Sequence, residues 1–209
     1  MIMNSRVVIV ADGTFPTHDI PLGYIRDAER IICCDGSVKS LINAGYIPEA
    51  IVGDMDSISD ELADKFRDRL FSDSNPDTND LTKTVNWCKG RGYKDMAIVG
   101  ATGKREDHTI GNISLLADYI KDMNVMMVTD TGIFYPFLKS CRISTFPGQQ
   151  VSIFSIDHNT KVSSRGLKYA LSETQIKNWW VATLNEATGN HFELGFTGGP
   201  VIVFLKFRD

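Results

Sequence analysis

Short apolar runs recur through the first two-thirds of the chain, at Val7–Ala11, Ile31–Cys34, Ala50–Val52, Met96–Val99 and Val125–Val128. They are continuous rather than alternating, the pattern of strands covered on both faces, as in a parallel sheet. Between them lie stretches with helical spacing and boundary residues. Residues 37–44 end at Gly45. Residues 59–69 can be capped by Ser57 or Ser59, and residues 79–89 by Asp77 or Thr78, ending near Gly90. Residues 107–121 put Ile110, Ile113, Leu116 and Ile120 on one stripe. Alternation of strand and helix predicts an α/β sheet with right-handed crossovers. After about residue 130 the texture changes. "CRISTF", "QQVSIFSI", "GLKYAL", "NHFELGF" and "VIVFLKF" are short runs of β-formers divided by Gly, Pro and Asn, and predict a small antiparallel β domain, a sandwich.

A chain of 209 residues is enough for one large domain or two modest ones. With 43% apolar and 23% charged residues it has the composition of a globular protein with a real core. The net charge of −4 gives no reason to expect nucleic acid as a partner. An acidic protein that handles phosphates needs metal ions or local cations. The cysteines, at 33, 34, 88 and 141, have neither zinc-site spacing nor the setting of a disulfide scaffold, so reduced thiols in a cytosol are expected. The apolar run in "MIMNSRVVIVADG" is too short for a signal peptide or a span, and no other stretch is suited to crossing a membrane.

The chemistry lies just past the end of each run: "VADG", "CCDGS", "VGDMDS", "VGATGKREDH" and "VTDTG". In open α/β sheets the carboxyl ends of the strands share one edge, where ligands bind, so these loops are expected to converge on one crevice. Asp54 and Asp56, at i and i+2 just past a strand, can grip one hard cation from two sides. Magnesium fits best, because it takes one or two carboxylates plus water and substrate phosphates. The competing reading is an Asx-turn that caps the next helix. In "SNPDTNDLTKT", Asp77 and Asp80 flank a helix start. Capping needs only one of them; the other can complete a metal site, and Lys83 can meet a phosphate. In "GATGKREDHTIGN", Gly100 and Gly103 permit close backbone approach, Lys104 and Arg105 add cations, and Asp107 and His108 add hydrogen-bonding groups. The spacing is not that of a Walker loop, and a plain strand-to-helix connection is the competing reading. Together the loops hold carboxylates, cations and flexible backbone, the equipment for a metal–nucleotide complex.

These residues resemble the thiamine pyrophosphokinase family, over nearly the whole chain. The family's "GDxDS" box matches Gly53, Asp54, Asp56 and Ser57, and its "DG" turn matches Asp35 and Gly36. Its "D-x-T-D-x-x-K" box matches Asp77, Asp80 and Lys83, with Asn79 in place of threonine. Its "GATGGR-x-DH" box matches Gly100, Ala101, Thr102, Gly103, Arg105, Asp107 and His108, with Asn112 one turn later; Lys104 replaces a glycine and Glu106 an apolar residue. Its "GLK-aromatic-x-L" box matches Gly166, Leu167, Lys168, Tyr169 and Leu171. A Ser-Asn pair near the family's C-terminus corresponds to Gly189-Asn190.

The resemblance implies a three-layer α/β domain over residues 1–135 that binds ATP and magnesium, and a β-sandwich over 136–209 for thiamine binding and dimerisation. It implies transfer of the pyrophosphoryl group of ATP to the hydroxyl of thiamine, giving thiamine diphosphate and AMP, in a cytoplasmic homodimer with thiamine at the subunit boundary. Asp54, Asp56 and Asp77 would hold magnesium, and Asp77 or Asp80 would orient or deprotonate the alcohol. Asp35, Gly36, Ser57, Lys83, Gly100, Thr102, Gly103, Arg105, Asp107, His108 and Asn112 would serve ATP. Gly166, Leu167, Tyr169 and Asn190 would serve thiamine, with Tyr169 stacking on a ring; from its own position in sequence, Tyr169 reads as a core aromatic. Trp179 and Trp180 are read as core or interface, and the "ADGTFP" loop carries no assignment. The rival functions are a metal-dependent phosphatase, because "DMD" resembles an Asp-x-Asp nucleophile box, and a binding sensor without catalysis.

Overall fold

A computed structural model describes residues 7–208; residues 1–6 and 209, the outer ends of the two expected domains, lie outside the described residues. The chain divides into two compact units, one of residues up to 115 together with 122–130, the other of 116–121 together with 131 onward.

In the first unit the apolar runs become strands β1 (Val7–Val10), β2 (Arg30–Cys34), β3 (Ala50–Gly53), β4 (Leu70–Ser72), β5 (Asp95–Val99) and β6 (Asn124–Val128). All pair in parallel, in the order β6-β5-β1-β2-β3-β4. Every residue of β1 and β3 is buried, as expected for strands covered on both faces. The chain leaves β1 towards β2, then returns to place β5 on the other flank of β1. The strand order therefore reverses between β1 and β5, and a crevice at such a point is where open α/β sheets receive ligands.

The helices are α1 (Asp19–Arg26), α2 (Val38–Asn43), α3 (Asp60–Lys65), α4 (Asp80–Gly90) and α5 (Glu106–Tyr119). Several depart from expectation. The helix α1 has no counterpart among the elements expected from the sequence. Pro21 lies in the first turn, where its missing N–H costs nothing, and the His18 ring caps the start by accepting the Ile20 N–H at 3.1 Å. The α4 cap is neither Asp77 nor Thr78 but Asn79, whose Oδ1 accepts the Thr82 N–H at 2.9 Å. The segment expected as one helix over 59–69 stops at Lys65, and a 3₁₀ turn leads into β4. Of the expected α5 stripe, Leu116 is buried, Ile113 and Ile120 are half-buried and Ile110 is exposed.

In the second unit, β9 (Gln150–Ser155), β14 (Val201–Lys206) and β7 (Gly132–Phe137) form an antiparallel sheet, edged by the short β12 (Asn185–Glu186). A second antiparallel sheet holds β8 (Cys141–Ser144), β13 (His191–Thr197), β10 (Lys161–Arg165) and β11 (Thr174–Gln175). Val151, Ile153, Val201 and Val203 from one sheet and Ile143, Val162, Phe192 and Leu194 from the other share one core, so this unit is the expected sandwich. "GLKYAL" is not a strand. The ladder of β10 ends at Arg165, and residues 166–171 form a loop with a single bridge, Leu167 to Ala187. Among the described residues, no helix is long and apolar enough to cross a membrane.

Candidate active site

Three loops at the carboxyl ends of β2 and β3 and the start of α4 build an acidic centre. Asp35 follows β2 and is buried, with Oδ1 accepting the Gly36 N–H at 2.8 Å and Oδ2 the Met55 N–H at 2.9 Å. Burial, then repulsion from Asp80, pushes its carboxyl above the usual range. A Cβ on Gly53 would land on the Asp35 carboxyl group, so the end of β3 has no room for a larger residue. Beyond it, Asp54 closes an Asx-turn by accepting the Asp56 N–H at 3.2 Å, and Asp56 accepts the Ser57 hydroxyl at 2.8 Å. One carboxylate oxygen from each of Asp35, Asp54 and Asp56 lies within 4.8 Å of the others. The turn and the clustered carboxylates coexist; the two readings of "GDMDS" are not alternatives.

Lys83, in the first turn and a half of α4, answers that charge from inside. Its side chain is only 4% exposed, and Nζ donates to Asp80 at 2.9 Å and to Asp54 at 3.3 Å. Burial opposes the ammonium, but the hydrogen bonds to Asp80 and Asp54 outweigh it and raise its pKa above the ordinary lysine value. Asp54 is held below the usual carboxylate range by the Asp56 N–H, the Asp56 side chain and Lys83. Asn79 joins α4 to the next loop, since its Nδ2 donates to Asn112 Oδ1 at 3.2 Å and Asn112 Nδ2 donates to the Ala101 carbonyl at 2.9 Å.

The Gly-rich loop after β5 lies against the loop after β1. Gly13 N–H donates to Gly100 O at 2.6 Å and Thr14 N–H to Thr102 O at 2.8 Å. Lys104 Nζ pairs with Asp12 Oδ1 at 2.7 Å. Further along, Asp130 accepts the Thr17 hydroxyl at 2.8 Å and the backbone N–H groups of Thr17 and His18, which anchors the far end of the β1 loop. Arg105 grips Asp107 through two bonds of 3.1 and 2.6 Å. That guanidinium, with help from the His108 N–H, draws the Asp107 pKa down to about 2. His108 is exposed in the first turn of α5.

In the sandwich unit, the loop of residues 166–171 is fixed by a neighbour remote in sequence. The buried Asn185 accepts the Tyr169 N–H at 3.1 Å and donates to the Tyr169 carbonyl at 2.7 Å. Gly166 O accepts the Thr188 N–H at 3.0 Å, and Asn190 O accepts the Thr145 N–H at 2.9 Å. Leu167 is buried, whereas the Tyr169 ring is 63% exposed, so it is not the core aromatic that its sequence position suggests. Trp179 meets Phe154 edge-on at 5.7 Å, and Trp180 is exposed.

Residues 23–128 match the family model described as thiamin pyrophosphokinase, catalytic domain, and residues 132–204 the one described as thiamin pyrophosphokinase, substrate-binding domain. The chain belongs to the thiamin pyrophosphokinase family. It is 32% identical over 119 residues to thiamine pyrophosphokinase of Bacillus subtilis, a match covering 54% of this chain and 55% of that protein. It is 23% identical over 184 residues to thiamin pyrophosphokinase 1 of Caenorhabditis elegans, covering 77% of this chain and 72% of that one. The chain thus spans about half the length of the first of these curated relatives. The crystal structure of the Bacillus subtilis protein superposes with a TM-score of 0.78 at 22% identity, covering 97% of this chain and 99% of that one. The structure from Candida albicans gives 0.78 at 19% identity, with 99% and 91% covered. At these identities the likeness speaks for the fold, the two-domain arrangement of α/β sheet and β-sandwich.

Within that family fold, the "DG" and "GDxDS" boxes meet in the acidic centre. Asp35, which the resemblance assigns to ATP, shares the centre with Asp54 and Asp56. Asp77 stands outside that group on an exposed turn, its N–H donating to Asn75 Oδ1 at 2.9 Å. Two residues without an assignment from sequence emerge: Asp12, paired with Lys104 across two loops, and Asn185, which holds the Tyr169 loop. A signal existed for Asp12, a charged residue in a strand-end loop. Nothing in the sequence marks Asn185.

Proposed function

We propose that the chain is a thiamine pyrophosphokinase, transferring the pyrophosphoryl group of ATP to the hydroxyl of thiamine. The observation that carries this reading is the convergence of Asp35, Asp54 and Asp56 within 4.8 Å, backed by a buried lysine. An all-carboxylate donor set of this kind suits a hard cation, and magnesium is the one that also binds phosphates. Asp54 and Asp56, with Asp35 beside them, would hold it, and Asp77 would join from its turn. When bound, magnesium supplies neutralisation of triphosphate charge.

The chain's own residues do the rest. The Gly-rich loop and Arg105 position the phosphates, and Lys83 keeps Asp54 and Asp80 in place. The thiamine hydroxyl oxygen attacks the β-phosphorus in line, the bond from that phosphorus to the bridging oxygen of the α-phosphate breaks, and AMP leaves. Asp77 or Asp80 would orient the hydroxyl and take its proton, Asp80 from beside Lys83 and Asp77 from its exposed turn. Tyr169 offers its face to thiamine, a flat cation. The working unit is a homodimer with thiamine at the subunit boundary. Free thiols at Cys33, Cys34, Cys88 and Cys141 accord with a cytoplasmic setting.

The test is incubation with ATP, magnesium and thiamine, with products identified by mass. Thiamine diphosphate and AMP are expected. Inorganic phosphate from simple esters would mean a phosphatase, and tight binding without AMP a sensor; either result refutes the proposal.

A further inference from the structure

The strand order reverses between β1 and β5, and the loops after those two strands flank the crevice there. Asp12 stands on one loop and Lys104 on the other, joined at 2.7 Å. The second carboxylate oxygen of Asp12 lies 2.6 Å from where a Cβ on Gly36 would be, so Asp12 backs onto the residue next to Asp35. Asp12 therefore spans the gap from the Gly-rich loop to the edge of the acidic centre.

Lys104 occupies its position against a backbone preference. Its φ is +50°, in the left-handed region that disfavours residues with a side chain. The ion pair does little to offset that preference. Both side chains are about half exposed, 51% and 46%, and pairs so open to water contribute little to stability. The pair sets an ammonium, open to water, between the loops after β1 and β5. Several phosphate oxygens on one ligand are a stronger anion than one hydrated carboxylate.

We propose that Lys104 is a nucleotide-specificity residue, whose ammonium leaves Asp12 for the terminal phosphates of a nucleoside triphosphate. Asp12 is its counter-ion, which parks the lysine at the crevice and takes it back when a monophosphate product remains. This rests on the kinase reading above, and it adds a means of preferring triphosphate over monophosphate.

The test is calorimetric titration with a non-hydrolysable ATP analogue plus magnesium, and separately with AMP. The proteins are the wild type, Lys104→Gly, Asp12→Ala and the double variant, each also melted thermally. Lys104→Gly is expected to weaken the ATP analogue about tenfold, the loss of one charge-assisted hydrogen bond, with AMP binding unchanged. It should melt no lower than wild type, because glycine accepts the left-handed backbone. Asp12→Ala should bind the ATP analogue more tightly, since the competing anion is gone, and the double variant should match Lys104→Gly. If Asp12→Ala weakens ATP binding as Lys104→Gly does, the pair only braces two loops and the proposal is wrong. Equal ATP binding by Lys104→Gly and wild type overturns it as well. A wild type that binds no nucleotide and makes no AMP overturns the kinase reading itself; a wild type that makes AMP while the variants behave in either contrary way overturns the lysine exchange alone.

Discussion

Replacing Lys83 by methionine removes a buried charge while keeping most of the volume, and its cost can be worked from the structure. The lysine is 4% exposed, whereas its partners Asp54 and Asp80 are 38% and 37% exposed. Removing one member of a fully buried ion pair costs about 3–5 kcal/mol, because the other charge is stranded. Here both carboxylates reach water and can rehydrate, so the loss is discounted to about 1–2 kcal/mol. For a chain of this length each kcal/mol moves the melting temperature by about 2–4 °C, so Lys83→Met should melt roughly 2–8 °C lower. The deficit should shrink in magnesium, because a cation bound only by the native state stabilises it by mass action and meets no lysine charge in the variant. The sign with pH is also set. The Lys83 pKa is raised above 10.5, so its stabilisation is fully present below that pH and is lost as pH rises through the folded-state value. Wild type and variant should therefore converge in urea midpoint at strongly alkaline pH. The assay is thermal melting with chelator and with magnesium, alongside urea titrations at neutral and alkaline pH. A variant that melts within about 1 °C of wild type in chelator, with the same magnesium response, would show that the acidic centre needs no internal cation.

Asp54→Asn or Asp56→Asn should lower turnover by about 10²-fold or more, roughly 2.7 kcal/mol of transition-state stabilisation, while circular dichroism stays native; near-normal activity at low magnesium would reduce the pair to a turn. Asn79→Ala removes both the α4 cap and the link to Asn112, and should cost about 1 kcal/mol in stability, whereas Asn79→Thr should keep much of it. Unchanged melting of the alanine variant would refute the cap. Tyr169→Ala should raise the thiamine KM with little change for ATP. Mixing it with Asp54→Asn chains should restore activity if subunits exchange and thiamine sits at the subunit boundary; heterodimers confirmed by pull-down without recovery would place each site within one chain.

The strands of the α/β unit other than the short β4 were legible because burial on both faces writes itself locally, as uninterrupted apolar runs such as Val7–Val10 and Met96–Val99. The loop boxes were legible for a related reason: carboxylates, glycines and cations must sit within a few residues of a strand end to share one sheet edge. Where local signals competed, the sequence misled. No element is expected at α1, and two plausible caps, Asp77 and Thr78, hid the one that is used.

By itself, then, the sequence determined most strands of the α/β unit, that the second half is a sandwich, and which family's chemistry the loops resemble, since each depends on neighbours along the chain. Only tertiary structure decided that Asp35 joins Asp54 and Asp56, because that depends on β2 lying beside β3. It alone turned Lys83 inward between Asp54 and Asp80, set Asp12 against Lys104 across 92 positions of sequence, and used Asn185 to hold Tyr169. It also left the Tyr169 ring in water, because burial is a property of what packs over a residue and not of the residue. Contacts of this kind join groups that neither periodicity nor spacing connects, and strand order brings them within reach of one another.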